Sequence, residues 1–178
     1  MRLSDLLDTI INAAYEKIST PWLTTEEEKK EIARKIGIAA VKFGDLINHR
    51  LKDYIFDLDK FLSFEGKTGV YLLYTITRIN SILKKVNDSK ELEVNCAQIF
   101  TNAERNLIFT IILSGEAFLK AISEKAPNII CENAFRLASG FSNFYHTNNI
   151  INETDELKKS TWISLCILTR KLLLKHQI

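Results

Sequence analysis

Glycine and proline are scarce in this sequence, six and two among 178 residues, which argues for long helices with few tight turns. Net charge is nearly absent too. Lysine plus arginine (24) against aspartate plus glutamate (22) leaves only +2, so no global field draws in nucleic acid and any such binding must come from a local patch. Cysteine is limited to Cys96, Cys131 and Cys166. An odd number of widely separated thiols suits a reducing compartment and buried, reduced side chains. Their even spacing of 35 residues suggests a helical repeat, but the flanks "EVNCAQIF", "NIICENAF" and "ISLCILTR" share little, so no repeat is expected. No apolar run approaches the roughly 20 residues of a membrane helix. The first residues, "MRLSDLLDTI", are amphipathic and acidic, unlike a signal or transit peptide. A cytoplasmic protein with no membrane association is expected.

Catalytic and metal chemistry is equally thin. There is no Cys-x-x-Cys or His-x-x-x-His pair, and His49, His146 and His176 are solitary; neither a metal site nor a cofactor is expected. Asp57, Asp59 and Glu65 could be pictured as paired acids, but short carboxylates beside a turn more often cap helices. No serine carries a nucleophile-elbow pattern, and no glycine-rich dinucleotide loop occurs.

What the sequence does have is apolar content, 46% of residues, enough to bury a core in one domain or a tight pair of subdomains. Leu3, Leu6, Leu7, Ile10, Ile11 and Ala14 recur at helical spacing, with Ser4 placed to cap the start and "STPW" to end the helix. A capping box from Thr25 to Glu28 opens a second helix. Its apolar stripe reads Ile32, Ile36, Ala39, Ala40 and Phe43, and Gly37 in mid-helix points to close packing on a neighbour. A short β-prone stretch, "DYIFDL", precedes a glycine loop and a helix over 69–85. Further helices are expected over 90–97, 102–113, 115–125, 128–147 and 155–175, the last apolar on most faces and therefore central. The fold class is all-α, a single domain over 1–178 with a possible seam near 86–90.

The loop "SFEGKTG" (63–69) ends like a nucleotide-binding phosphate loop. That motif needs a glycine five residues before Gly66 to curl round phosphates; Phe61 stands there, and no clean buried strand leads in. On the following helix, Leu72, Ile76, Ile79 and Leu83 form a core stripe, whereas Tyr71, Tyr74, Arg78 and Lys85 project elsewhere. Tyrosines three apart with an arginine four further on can stack on flat rings and grip a phosphate. Periodicity leaves a second reading open, in which the tyrosines are half-buried packing residues.

Three blocks carry a resemblance: "IGIAAVKFGDL" (36–46), "KDYIFDLDKFLSFEGKTGVYLLYTITRINSILKK" (52–85) and "LASGFSNFYHTNNII" (137–151). In order, from about Leu3 to Leu174, they resemble the C-terminal half of arginyl-tRNA synthetases. The middle block follows that family's F-D-x-D and E-G-N-T-G-P-Y-x-Q-Y-x-x-x-R-I-x-S-I pattern. The family's catalytic signatures, H-I-G-H and K-M-S-K-S, are absent, and Met1 falls just after the place of the second. The resemblance therefore implies an anticodon-binding helical bundle of the class Ia, DALR type. It implies a monomer whose partner is arginine tRNA, with no aminoacylation by this polypeptide alone.

It also implies that the glycine loop Ser63, Phe64, Glu65, Gly66, Lys67 and Thr68 lies against the anticodon. Tyr71, Tyr74, Arg78 and, from a later helix, Tyr145 would then face the bases. The chain departs from the pattern at Lys67 (for asparagine), Val70 (proline), Leu73 (glutamine), Trp162 (arginine) and His176 (glycine), and it stops short of the usual P-E-x-M ending. The alternative is a helical interaction domain that has kept the fold and lost tRNA recognition.

Overall fold

A computed structural model describes residues 2–18, 25–86 and 98–176. They form seven helices: α1 Leu3–Lys17, α2 Glu26–Leu46, α3 Leu58–Phe61, α4 Gly69–Lys85, α5 Asn102–Glu124, α6 Asn128–Thr147 and α7 Glu156–Lys175. No strand occurs among the described residues, and "DYIFDL" runs as irregular backbone into α3. Expectations for "STPW", the helix over 90–97, Cys96 and most of the seam near 86–90 fall outside the described residues.

The sequence places α7 at the centre, and six successive residues from Thr161 to Cys166 are buried there. Around it α4, α5 and α6 close a core of Ile76, Ile79, Leu107, Leu137, Phe141, Phe144, Trp162 and Leu165. A smaller core joins α1 and α2 to the first turn of α4 through Ile10, Ala14, Ala33, Ala40, Leu62 and Val70.

The face that α2 turns inward is lined largely by small residues, which corrects the expected stripe at Ile32 and bears out the close packing expected at Gly37. Ala33, Gly37, Ala40, Phe43 and Gly44 face inward, whereas Ile32 is 37% exposed. Close neighbours leave room only for small side chains here. A Cβ on Gly37 would lie 2.7 Å from Ile11 Cγ1, and one on Gly44 2.4 Å from the Phe61 ring. At the junction with α4, a Cβ on Gly69 would fall 2.1 Å from the Ala39 carbonyl oxygen. Thr25 caps α2 as expected, accepting from Glu28 N at 3.1 Å. Ser4 does not cap α1: the cap position falls two residues earlier, at Arg2, whose N donates to Asp5 Oδ2 at 3.2 Å.

The two expected helices over 102–125 are one. Gly115 does not interrupt α5, because a lone glycine costs only about 1 kcal/mol in a helix interior and a turn of helix on each side carries it. Continuous, α5 is long and apolar enough to cross a membrane by length and composition alone, a property hidden when the segment is read as two pieces. In the bundle it packs along α6, burying Leu107, Ser114 and Ala121 while Phe109, Ile112, Leu113, Leu119 and Ile122 stay exposed. Its start is a capping box that the sequence reading missed: Glu104 N donates to Thr101 Oγ1, and Glu104 Oε2 accepts from Thr101 N. The same fully buried carboxylate accepts from Trp162 Nε1 at 3.3 Å, tying α5 to α7. At the far end Lys125 adopts φ 51°, and its carbonyl accepts from Arg50 Nη1 at 2.8 Å.

Candidate nucleic-acid interface

The glycine loop is held from within. Thr68 Oγ1 donates to Ser63 O at 2.7 Å and accepts from Tyr71 N at 3.0 Å, so one buried hydroxyl closes the loop and caps α4. Glu65 N donates to Ser63 Oγ, and Thr68 N to Gly66 O. Gly66 turns with φ 80°, a conformation that glycine alone reaches cheaply. The carboxylates beside the loop serve structure. Asp57 caps α3 through Lys60 N, and that bond holds its carboxyl below the usual range. Asp59 pairs with Lys17 at 3.0 Å. No strand leads into the loop, and the Phe61 ring is wedged against Gly44, so the surroundings of a phosphate loop are missing.

Four of the residues singled out in the sequence meet on one surface. The Arg78 guanidinium carbon lies 4.7 Å from the Tyr74 ring centroid and 5.2 Å from that of Tyr145 on α6, and Arg78 Nη2 donates to Tyr74 Oη at 2.5 Å. Phe64 from the loop meets Tyr74 edge to face at 6.3 Å. Tyr145 in turn stacks on the buried Phe141 at 6.3 Å with rings 18° from parallel. An unbroken series of flat groups thus runs from the large core to solvent, ending in Tyr74 and Phe64, 44% and 55% exposed. Core packing fixes the inner rings, so the outer ones are presented with little side-chain freedom left to lose.

Tyr71 is placed differently. It leans inward on Phe135 of α6 at 5.8 Å and joins the packing of the large core. Lys67 is engaged as well: its Nζ lies 2.6 and 2.8 Å from the two carboxylate oxygens of Glu132 on α6. Glu132 and Phe135 were not singled out in the sequence. Only their chain position, on α6 one helical turn apart, could have signalled that they share a face.

Comparison with known proteins agrees with this architecture. Residues 72–176 match the DALR anticodon binding domain, and residues 1–58 match the catalytic domain of class I (R) tRNA synthetases. The arginine–tRNA ligase of Alkaliphilus oremlandii is 41% identical over 97% of this chain, and that of Maricaulis maris 38% over 97%. The chain spans about 30% of the length of each. Among solved structures, arginyl-tRNA synthetase from Thermus thermophilus superposes with a TM-score of 0.86 at 23% identity, covering 99% of this chain and 30% of that one. The Plasmodium falciparum enzyme gives 0.80 at 25% identity, covering 99% and 32%.

Proposed function

The chain belongs to the DALR anticodon-binding domain family, and from that premise we propose that it recognises the anticodon loop of arginine tRNA as one part of an arginyl-tRNA synthetase or a freestanding relative. The observation that carries this reading is the Phe64–Tyr74–Arg78–Tyr145 stack beside the glycine loop. Unpaired loop bases want flat faces and their phosphates want a cation, and the stack offers both within one patch. In this reading the interface comprises the loop from Ser63 to Thr68, then Tyr74, Arg78 and Tyr145. Tyr71 adds the part of its ring that packing on Phe135 leaves open.

A salt-titrated binding assay with an arginine-tRNA anticodon stem-loop tests the proposal. Affinity should fall with salt at a slope of about 0.7 per phosphate neutralised. Tyr74→Ala should weaken binding by about 1–3 kcal/mol while leaving the urea midpoint nearly unchanged, because the ring is largely outside the core. Tyr71→Ala should cost stability as well. If the unaltered chain binds no stem-loop even at low salt, the interaction-domain alternative takes its place. The reading includes a cytoplasmic monomer. Cys131 and Cys166 are free thiols, as a reducing compartment keeps them, and sedimentation checks the monomer against the apolar residues that α5 exposes.

A further inference from the structure

Lys67 stands in the loop where the family pattern has asparagine, yet its charge is already matched. The Glu132 carboxylate takes the ammonium with both oxygens, and the Phe135 ring lies 5.8 Å from it on the same helix. The loop does not need this contact for its shape, since Thr68, Ser63 and Gly66 close it internally. What Glu132 changes is the electrostatic face the loop turns outward. Its side chain and that of Lys67 are 34% and 48% exposed, so the pair is wet and weak enough for a phosphate to compete with it.

Resting on the RNA reading above, we infer that Glu132 is a specificity-determining residue that keeps Lys67 away from the RNA backbone. Phosphate contacts are alike for every sequence and supply most of non-specific binding. A phosphate reaching Lys67 must displace a carboxylate and then lie beside it, which penalises backbone-only contact at the loop. Phe64 and Tyr74 remain open to bases, and a base needs no cation to stack. In an anticodon complex the ion pair stays closed. An RNA without unpaired bases gains nothing from the rings and reaches the lysine only by displacing the carboxylate.

The test compares an arginine-tRNA anticodon stem-loop with a fully paired duplex of equal length, by fluorescence anisotropy over a salt series. Glu132→Gln should tighten duplex binding about threefold and steepen its salt slope by about one phosphate's worth, with stem-loop affinity unchanged within about twofold. Adding Lys67→Met to Glu132→Gln should remove the gain on duplex. Unchanged duplex binding and slope would overturn the inference, as would an equal gain on both RNAs. A loss on the stem-loop with no change on the duplex would overturn it too, and would make Glu132 a clamp on the loop. If the unaltered chain binds neither RNA at low salt, the RNA reading falls and this inference with it. If it binds and Glu132→Gln moves nothing, only this inference falls.

Discussion

Between α1 and α2 the chain brings backbone close to backbone, while α4, α5, α6 and α7 meet through rings and branched side chains. Ala33, Gly37, Ala40 and Gly44 leave α2 almost no side-chain thickness on its inner face. On the other side, Phe141, Phe144, Leu107 and Leu137 are each fully buried. The two cores should therefore answer opposite changes in size. The larger is vulnerable to lost volume, because a cavity there has many walls that cannot collapse. The smaller is vulnerable to added volume, because a new Cβ on Gly37, Gly44 or Gly69 meets Ile11, the Phe61 ring or the Ala39 carbonyl at less than contact distance.

The largest effect expected is at Phe141. Phe141→Ala should destabilise the chain by about 3–5 kcal/mol in urea unfolding. It should also loosen Tyr145, whose ring rests on Phe141, so stem-loop affinity should drop in parallel. A loss below about 1 kcal/mol would erase the distinction between the cores. Next comes Gly37→Ala, expected to cost about 1–3 kcal/mol through the clash with Ile11. Combining it with Ile11→Ala sharpens the comparison. If added volume is the fault, the double variant recovers part of the loss; strict additivity would show that the seam is not limited by space.

The smallest effect lies where the cores adjoin. A half-open pocket of about 410 Å³ lies beside the contact of α2 with α4, lined by Ile38, Phe43, Leu72, Leu73 and His176. The buried His176 ring lies against Phe118 and has its two nitrogens near Leu172 O and Asn133 Oδ1. Burial lowers its pKa below the ordinary value, outweighing the bond to Leu172 that acts the other way. The folded state therefore prefers the neutral ring, and below about pH 6.5 the unfolded chain binds the extra proton first. Stability should be flat from there to about pH 8, above which the raised thiols of Cys131 and Cys166 begin to cost stability. It should decline as pH falls below about 6.5. The depressed carboxylates Asp5, Asp57 and Glu153 add their own losses only further down, in the ordinary carboxylate range and below. Urea midpoints at about pH 7.5 and 5.5 measure the decline, and His176→Gln should flatten it.

Helix bounds were legible where periodicity was strong. α4, α6 and α7 lie within a residue of their sequence expectations, because caps such as Thr68 and Asp155 are written beside the stripes they start. Three features were not legible, each for a physical reason. On α2, Ile32 was placed inward and Ala33 and Gly44 were overlooked because hydrophobic patterning weighs bulk, whereas Gly37, Ala40 and Phe43 face inward as expected. The break in α5 was misread because a single glycine is a weak breaker once a helix is nucleated on both sides. The engagement of Lys67 was unreadable because Glu132 lies 65 residues away in sequence. Within the candidate interface, the family resemblance named Tyr74, Arg78 and Tyr145, and the fold sets them in contact. Periodicity alone could not separate Tyr74 from Tyr71, which lie three residues apart on one helix and meet opposite surroundings.

Burial pushes the thiols of Cys131 and Cys166 up to about 12. At neutral pH both therefore stay protonated thiols, and in the closed structure neither sulfur is open to a reagent. Alkylation of these two positions is therefore a clock. It advances only when α6 or α7 parts from its neighbours, and peptide-resolved mass spectrometry reads the two hands separately. Equal rates at Cys131 and Cys166 mean that the large core opens as one unit. A faster rate at Cys131, on the first turn of α6, means that this end frays first, and it times that fraying without any engineered residue.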